Sequence, residues 1–295
     1  MRSIRLAVIL SALSAGAAAY FLEPVFRRWT GFSLVYVPDI LLFLAIVVSA
    51  YAYLVLSYVG KLDPVVAWAA SAWQEADYKS ALLRLWLFSW AGRRAPFTAF
   101  LLTSANLADR AYAVAANSTL PETDMEEPSY DLDFASGRAA LALRDLDRAR
   151  HHFARLYNRF PGSALARYAF GDLLLWQNTE LERARQLLTG ALADSSRFDL
   201  PHWTRLGLEA ELHASHAWSV GLIGKPEELQ DSFDKALQLA GRNKPVLAAV
   251  NLRLGYALRA LNRPITARQH WDAARDIDPH GWAGNQAARE LQSRS

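Results

Sequence analysis

Hydrophobic residues are concentrated in two uncharged runs near the start of the sequence. The first, Leu6 to Leu22, has 17 residues, and the second, Ile40 to Val59, has 20. A helix of about 20 apolar residues crosses the hydrocarbon core of a bilayer. The pattern therefore predicts a membrane anchor over residues 1–63, in which transmembrane helices at about 6–22 and 40–59 contact the lipid bilayer.

The first run also has features of a secretory signal peptide. Arg2 and Arg5 precede it, and small residues occupy positions 16–19. Its apolar character continues through Tyr20 to Leu22, which favours a retained helix over a cleaved leader. Either interpretation leaves the second run as a membrane span.

Basic residues near the two runs favour a hairpin with both termini in the cytoplasm. Arg27 and Arg28 lie between the runs, whereas five basic residues lie on the other side: Arg2, Arg5, Lys61, Lys79 and Arg84. Loops rich in Lys and Arg tend to stay cytoplasmic. We therefore expect a protein of the bacterial inner (plasma) membrane with a cytoplasmic C-terminal region. A periplasm-facing protein is the alternative if one run does not cross.

From residue 64 onward the apolar periodicity becomes helical, and small and large residues recur at fixed spacing. Residues at offsets of 12, 16 and 24 from a glycine occur in two places, the second also containing Ala274: Gly137, Ala149, Phe153 and Pro161, then Gly255, Ala267, Trp271 and Pro279. Further copies contain Gly171, Trp203 and Gly207. Small residues permit close contact between two helices, a large residue fills the gap, and proline ends the second helix.

This pattern is similar to the tetratricopeptide repeat (TPR), a helix–turn–helix unit of about 34 residues. The resemblance implies an all-α fold, with two transmembrane helices followed by a right-handed TPR α-solenoid of four to five helix pairs. Residues 64–116 then form divergent TPR-like helices, the last of them running from Pro96 to Ala116. Residues 117–133 form an acidic, proline-containing loop, and residues 134–295 form the TPR array, with an insertion near 211–226.

The first helices of stacked pairs line a concave surface that binds peptides or helices. Counting from the repeat glycines places ten residues on this surface: Phe134, Arg138, Leu141, Tyr168, Asp172, Leu175, Trp176, Leu252, Tyr256 and Arg259. The set is mainly aromatic and apolar, which favours an amphipathic segment of another protein as the ligand. The alternative is that several of these side chains pack against neighbouring repeats or the insertion.

The composition excludes several kinds of chemistry. With no cysteine there is no thiolate metal site, disulfide or cysteine nucleophile, and a net charge of +3 does not predict nucleic-acid binding. No phosphate-binding glycine loop, hydrolase elbow or zinc-protease motif occurs. His213 and His216 share a helix face that suits a metal or haem, with ordinary surface histidines as the alternative. We expect no catalytic residues and no cofactor, and therefore not an enzyme.

Several segments resemble the HemY-type inner-membrane TPR proteins associated with haem biosynthesis in proteobacteria. They are the two apolar runs, Gly31 to Val35, and Ala76 to Ala81 followed by Pro96 and Leu101-Leu102. This resemblance implies a link to haem biosynthesis, and the tetratricopeptide resemblance implies a scaffold that acts through protein contacts and has no catalytic residues. Three hypotheses follow: a membrane-anchored adaptor that assembles or localises a complex linked to haem biosynthesis, a periplasm-facing assembly factor for an envelope or secretion complex, and a haem- or porphyrin-handling protein.

Overall fold

The computed structural model describes five stretches of the chain: residues 64–86, 95–116, 128–194, 202–224 and 226–293. The predicted anchor, with its spans at about 6–22 and 40–59, lies outside them. Within the described stretches, no helix combines the length and the apolar character that a membrane crossing requires. The chain divides between Ala67 and Trp68 into two units, and the packing below is that of the second.

The described stretches are all-helical and contain no strand, as the sequence predicts for this part of the chain. A 3-10 turn at Pro226–Glu228 precedes α10. The α-helices are α1 (Pro64–Gln74), α2 (Tyr78–Trp86), α3 (Ala95–Ser104), α4 (Ala108–Ala116), α5 (Pro128–Ala142), α6 (Leu146–Arg159), α7 (Ala164–Gln177), α8 (Leu181–Ala193), α9 (His202–Ile223), α10 (Leu229–Ala240), α11 (Lys244–Ala260), α12 (Pro264–Ile277) and α13 (Trp282–Gln292).

Five of the odd-numbered helices end in the same turn. In the turn that follows each helix, one residue has a left-handed backbone conformation. The N–H of the residue after it donates to the carbonyl five positions earlier, at 2.8–3.0 Å. This arrangement satisfies carbonyls that a helix end leaves unpaired. The left-handed residues are Ala76, Asn106, Arg144, Asn178 and Asn262.

Two predicted boundaries differ from the structure. The single helix predicted from Pro96 to Ala116 is two helices, α3 and α4, because Asn106 has a φ of 58° and the Leu107 N–H bonds to the Leu102 carbonyl. Asparagine tolerates this conformation better than most residues. The loop predicted to extend to Asp133 ends earlier, because α5 begins at Pro128, and proline is well suited to the first turn of a helix.

The helices form two rows. From α3 onward, each odd-numbered helix contacts the next odd-numbered helix, and these helices form the inner row. Each even-numbered helix from α4 to α12 contacts the odd-numbered helix on either side of it in sequence. The last inner helix, α13, also contacts α3. The inner row therefore returns to its own beginning.

Close helix contact within a pair depends on glycine at two equivalent positions. A Cβ on Gly137 would overlap the Phe153 ring, and a Cβ on Gly255 would overlap the Trp271 indole. Phe153 and Trp271 are both buried. In each case a residue 16 positions after the glycine fills the space that the missing side chain leaves.

The other residues of the repeat pattern have the following positions. Ala149, Ala267 and Ala274 are fully buried and Gly171 and Gly207 are buried, whereas Pro161 and Pro279 are exposed just after α6 and α12. Trp203 lies in α9, whose 22 residues take up much of the extra length predicted near 211–226.

A hydrogen bond joins the first described helix pair to the last. Tyr78, at the start of α2, donates its hydroxyl to Asp278 Oδ2 at 2.5 Å, across 200 positions of sequence. Asp278 Oδ1 accepts the Gly281 N–H at 3.0 Å. Beside this bond, Lys244 Nζ lies 2.9 Å from Glu75 Oε2. These contacts lie where the row of helices closes.

Candidate binding site

The inner row surrounds a buried group of charged side chains, here called the charge cluster: Arg138, Asp172, Glu211 and Arg253, with the hydroxyls of Tyr168 and Ser215. Its members come from α5, α7, α9 and α11. Arg253 is 1% exposed and Asp172 is 4% exposed. Two guanidinium groups face two carboxylates, so the formal charges balance.

Both arginines bind a carboxylate through two nitrogens. Arg253 Nε and Nη2 lie 3.2 and 3.1 Å from Asp172 Oδ1 and Oδ2. Arg138 Nη1 and Nη2 lie 3.0 and 3.3 Å from Glu211 Oε2 and Oε1. Arg253 Nη2 is also 3.2 Å from Glu211 Oε2, which links the two pairs. Such forked contacts fix the orientation of both partners.

Hydroxyl donors complete the charge cluster. Tyr168 donates to Glu211 Oε2 at 3.1 Å, and Ser215 donates to Asp172 Oδ1 at 2.5 Å. Trp176 Nε1 donates to Asp172 Oδ2 at 3.3 Å. Buried charges are tolerated when they are paired and hydrogen-bonded, as they are here.

The surroundings keep the two carboxylates ionised. Burial opposes the charged form, but Arg253, through its charge and hydrogen bonds, holds the pKa of Asp172 below its usual value. Burial likewise opposes ionisation of Glu211, and the charges of Arg138 and Arg253 hold its pKa below the usual value. Burial raises the pKa of Tyr168 well above that of a free tyrosine, and Glu211 raises it further. Tyr168 is therefore a hydrogen-bond donor.

The charge cluster fills the middle of the inner row. Two cavities that border it among the described residues have volumes of about 20 Å³ each, close to the space of a single water molecule. A peptide has no room to pass between these helices. Five of the ten predicted groove residues lie in or beside this filled region: Phe134, Arg138, Leu141, Tyr168 and Asp172.

A much larger cavity, here called the end cavity, opens at the C-terminal ends of α5, α7, α9 and α11. Its volume is about 730 Å³. Side chains from the start of α6 and from α13 complete its walls. It is lined by Leu141, Arg144, Leu146, Leu175, Trp176, Asn178, Trp218, Leu222, Tyr256, Arg259, Ala260, Gln286 and Glu290.

Aromatic rings form one wall of the end cavity. Trp176 contacts Trp218 and Tyr256 edge to face, with ring centroids 5.3 and 5.4 Å apart, and lies 5.9 Å from Trp282. Trp218 and Tyr256 stack at 4.9 Å. Trp218 and Tyr256 are buried, whereas Trp176 is half-buried. Ring pairs in these arrangements stabilise the wall beyond the apolar area that they bury.

The polar part of the end cavity centres on Glu290. Its Oε2 lies 3.0 Å from Arg259 Nη1, and its Oε1 accepts the Tyr256 hydroxyl at 3.0 Å. Arg144 Nη2 is more distant, at 3.9 Å from Oε1. The Arg259 guanidinium also lies over the rings of Tyr256 and Trp271, at 5.0 and 5.3 Å from their centroids.

The structure thus separates the ten predicted groove residues. Leu175, Trp176, Tyr256 and Arg259 line the end cavity, Leu141 lines both this cavity and the small one beside the charge cluster, and Leu252 is fully buried away from the end cavity. Packing against neighbouring helices, the alternative reading, accounts for Tyr168, Asp172 and Leu252. The sequence analysis did not identify Glu211 and Arg253. Each is a charged residue at a helix position where the repeat pattern predicts a buried side chain, and this mismatch could have indicated them.

His213 and His216 lie on α9 outside the end cavity. The ring nitrogens of His216 lie 2.8 Å from Ser232 Oγ and 3.3 Å from Thr189 Oγ1, contacts that metal binding would break. Burial, with the nearby charges of His216 and Lys235, lowers the pKa of His213 to about 4. In the described stretches no three His, Asp or Glu side chains are grouped as metal ligands.

Comparisons with known proteins add no assignment. No protein-family model matches the chain, and no curated protein matches it.

Proposed function

We propose that this protein is a membrane-anchored TPR adaptor that holds a segment of a partner protein in the end cavity and so helps to assemble or localise a membrane-associated complex. The observation that carries the proposal is the end cavity itself. Its volume of about 730 Å³ suits an inserted ligand, and it combines apolar and aromatic walls with a few polar groups.

The packing within helix pairs supports the repeat part of the proposal. The contacts of Gly137 with Phe153 and of Gly255 with Trp271 have the same spacing, and five turns have the same hydrogen-bond pattern. Repeated units of this kind stack side by side and present surfaces for other proteins.

The membrane part rests on the apolar runs at 6–22 and 40–59 and on the basic residues around them. A reporter fused after Ser295, with activity that differs between cytoplasm and periplasm, tests it. We expect a cytoplasmic signal. A periplasmic signal would make the envelope-assembly hypothesis the leading one and would remove the link to haem biosynthesis.

A matched pair of variants tests the binding role of the end cavity. Ala260 lies at its mouth and is exposed, so Ala260→Trp places an indole in the cavity without disturbing the interior. Ile265 is 78% exposed and does not line the cavity, so Ile265→Trp is the control. The full chain is purified from its host in mild detergent, and co-purifying proteins are quantified.

We expect a stoichiometric partner with the unmodified chain and with Ile265→Trp, and its loss with Ala260→Trp. Thermal unfolding of the three proteins establishes that each is folded. The proposal fails if no stoichiometric partner is found, or if the same partner stays bound to folded Ala260→Trp.

A further inference from the structure

We infer that the partner segment bound in the end cavity carries a carboxylate next to its apolar or aromatic side chain, and that Arg144 and Arg259 recognise this carboxylate. The inference rests on the proposed function and specifies the chemistry of the partner. It is argued from the charges around the cavity, the groups already paired there, and the shape of the inner row.

The charged lining of the end cavity is unequal. Among the residues that the structure describes, two arginines, Arg144 and Arg259, face one acidic residue, Glu290. The Glu290 carboxylate is already engaged by Arg259 and the Tyr256 hydroxyl. Its contact with Arg144 is long, at 3.9 Å, and the Arg144 side chain is 55% exposed. The cavity mouth therefore has one positive charge more than its lining balances.

A second, smaller cavity extends the positive region. It has a volume of about 200 Å³ and shares Arg259 and Glu290 with the end cavity. It is also lined by the exposed Arg268, together with the apolar surfaces of Trp271 and Leu291. Arg259 thus lies between two adjoining depressions, each with aromatic and apolar walls.

Four helices direct their negative C-terminal ends toward the mouth, which opposes anion binding. This effect is reduced because the turns already donate to the last carbonyls. The Asn178 N–H bonds to Leu175 at 3.0 Å, and the Leu261 N–H bonds to Ala257 at 3.2 Å. Capping of this kind weakens the negative potential that the helix ends direct at the mouth.

Arg259 is oriented for recognition of a carboxylate. The Tyr256 and Trp271 rings support the guanidinium, and one of its nitrogens contacts Glu290. A guanidinium has five N–H donors in a planar fork, so donors remain for a second acceptor. An apolar side chain inserted beside it would contact Trp176, Leu146 and Leu222.

The shape of the inner row favours a short ligand segment. The charge cluster fills its middle, where the neighbouring cavities measure only about 20 Å³. A long helix lying along the row is thereby excluded. A few residues inserted at the open end fit, and one apolar anchor with an adjacent carboxylate satisfies both the aromatic wall and the arginines.

A random peptide library, selected on the full chain in mild detergent, tests the inference. Peptides are kept only if Ala260→Trp abolishes their binding and Ile265→Trp does not. We expect the retained peptides to be enriched in Asp or Glu beside Leu, Phe or Trp. Each selected peptide is then remade with that Asp or Glu changed to its amide.

We expect the amide change to weaken binding to the unmodified chain about ten- to hundredfold, the range for a charge-assisted hydrogen bond. The double variant Arg144→Gln, Arg259→Gln weakens the acidic peptide by a similar factor and leaves the amide peptide unchanged. Arg150→Gln, at an exposed arginine outside the end cavity, is the control and preserves the preference.

The outcomes separate the two proposals. Peptides that need the end cavity but bind equally well as amides, or are enriched in basic residues, overturn the inference and leave the proposed function standing. If no peptide is sensitive to Ala260→Trp, both are overturned. The peptide amide keeps the test valid should the double arginine variant be poorly folded, because it leaves the protein unchanged.

Discussion

Arg253 Nη2 lies 3.1 Å from Asp172 Oδ2, although the two residues are 81 positions apart, and both side chains are buried. This pair ties α11 to α7 across α9, and Glu211 on the intervening helix joins it at 3.2 Å. A contact that spans three inner helices fixes their relative positions more strictly than apolar packing alone. Its removal is therefore the most direct test of what holds the row together.

Replacement of Arg253 by methionine should destabilise the protein by about 3–5 kcal/mol, because Asp172 and Glu211 would lose a buried partner. Urea unfolding of the full chain in detergent, followed by circular dichroism, measures the change. Arg275→Met is the control, since Arg275 is 43% exposed and its pairs lie within α12. A loss of less than about 1 kcal/mol for Arg253→Met would show that the charge cluster is not a main source of stability.

His213 should make the stability depend on pH between about 6.5 and 4. Burial lowers its pKa in the folded protein to about 4 from an ordinary value of 6.5. The unfolded chain therefore takes up a proton first as the pH falls, and the stability present above 6.5 is lost toward 4. His213→Leu and His213→Asn should both flatten this dependence in unfolding measured at several pH values. An unchanged slope in both variants would contradict the assignment.

Gly255→Ala should destabilise the protein by about 1–3 kcal/mol, because the new methyl group overlaps the buried Trp271 indole. Gly190→Ala, also within a helix, should instead stabilise by about 0.5–1 kcal/mol, since alanine favours helix formation. At Gly190 the nearest neighbour of a new Cβ is Arg167 Nη1 at 3.5 Å, an ordinary contact. Thermal unfolding of the two variants should shift in opposite directions. Equal shifts would refute the packing argument.

Asp278→Asn should gain stability relative to the unmodified protein as the pH rises from about 4. Burial raises the pKa of Asp278, so the ionised carboxyl is the less favourable form in the folded state. The stability of the unmodified chain is thus greatest below the ordinary pKa and declines as the pH rises through the folded value. Unfolding of both proteins at pH 4 and pH 7 measures the difference. A difference that shrinks as the pH rises would contradict this sign.

Tyr78→Phe should cost about 1–3 kcal/mol, because Asp278 loses the donor to its Oδ2 in a buried setting. Hydrogen exchange should then increase both in α2 and around the turn between α12 and α13, which this bond joins. Tyr157→Phe on α6 is the control; its ring stacks on Phe170, a contact that phenylalanine preserves. Faster exchange confined to α2 would show that the bond does not couple the two ends.

The sequence predicted local packing better than it predicted the site. The spacing of Gly137 and Phe153, and of Gly255 and Trp271, encodes contacts between adjacent helices, which depend on few residues and short separations. The same spacing does not reveal Arg253, because its partners Asp172 and Glu211 come from α7 and α9, and only the packing of these helices makes a buried arginine acceptable there.

The ten predicted groove residues do not share one surface: some lie at the charge cluster and others line the end cavity. Periodicity assigns Tyr168 and Trp176 to the same face of one helix, eight residues apart. It does not say whether either residue lies level with the charge cluster or at the open end of the inner helices. Tyr168 lies level with the charge cluster and donates to Glu211 on a neighbouring helix. Trp176 lies near the C-terminal end of α7 and lines the end cavity. Turns such as the one at Asn178, which has a left-handed backbone conformation, end the inner helices. These helix ends determine where the end cavity opens.

The bond between Tyr78 and Asp278 has a mechanical consequence. An array of helix pairs joined only to their neighbours peels apart from one end, a pair at a time. Here the Tyr78 hydrogen bond also connects the start of α2 to the turn between α12 and α13. A force on α2 would therefore load the first and last pairs together, so that the array is held as a closed loop and not as an open row.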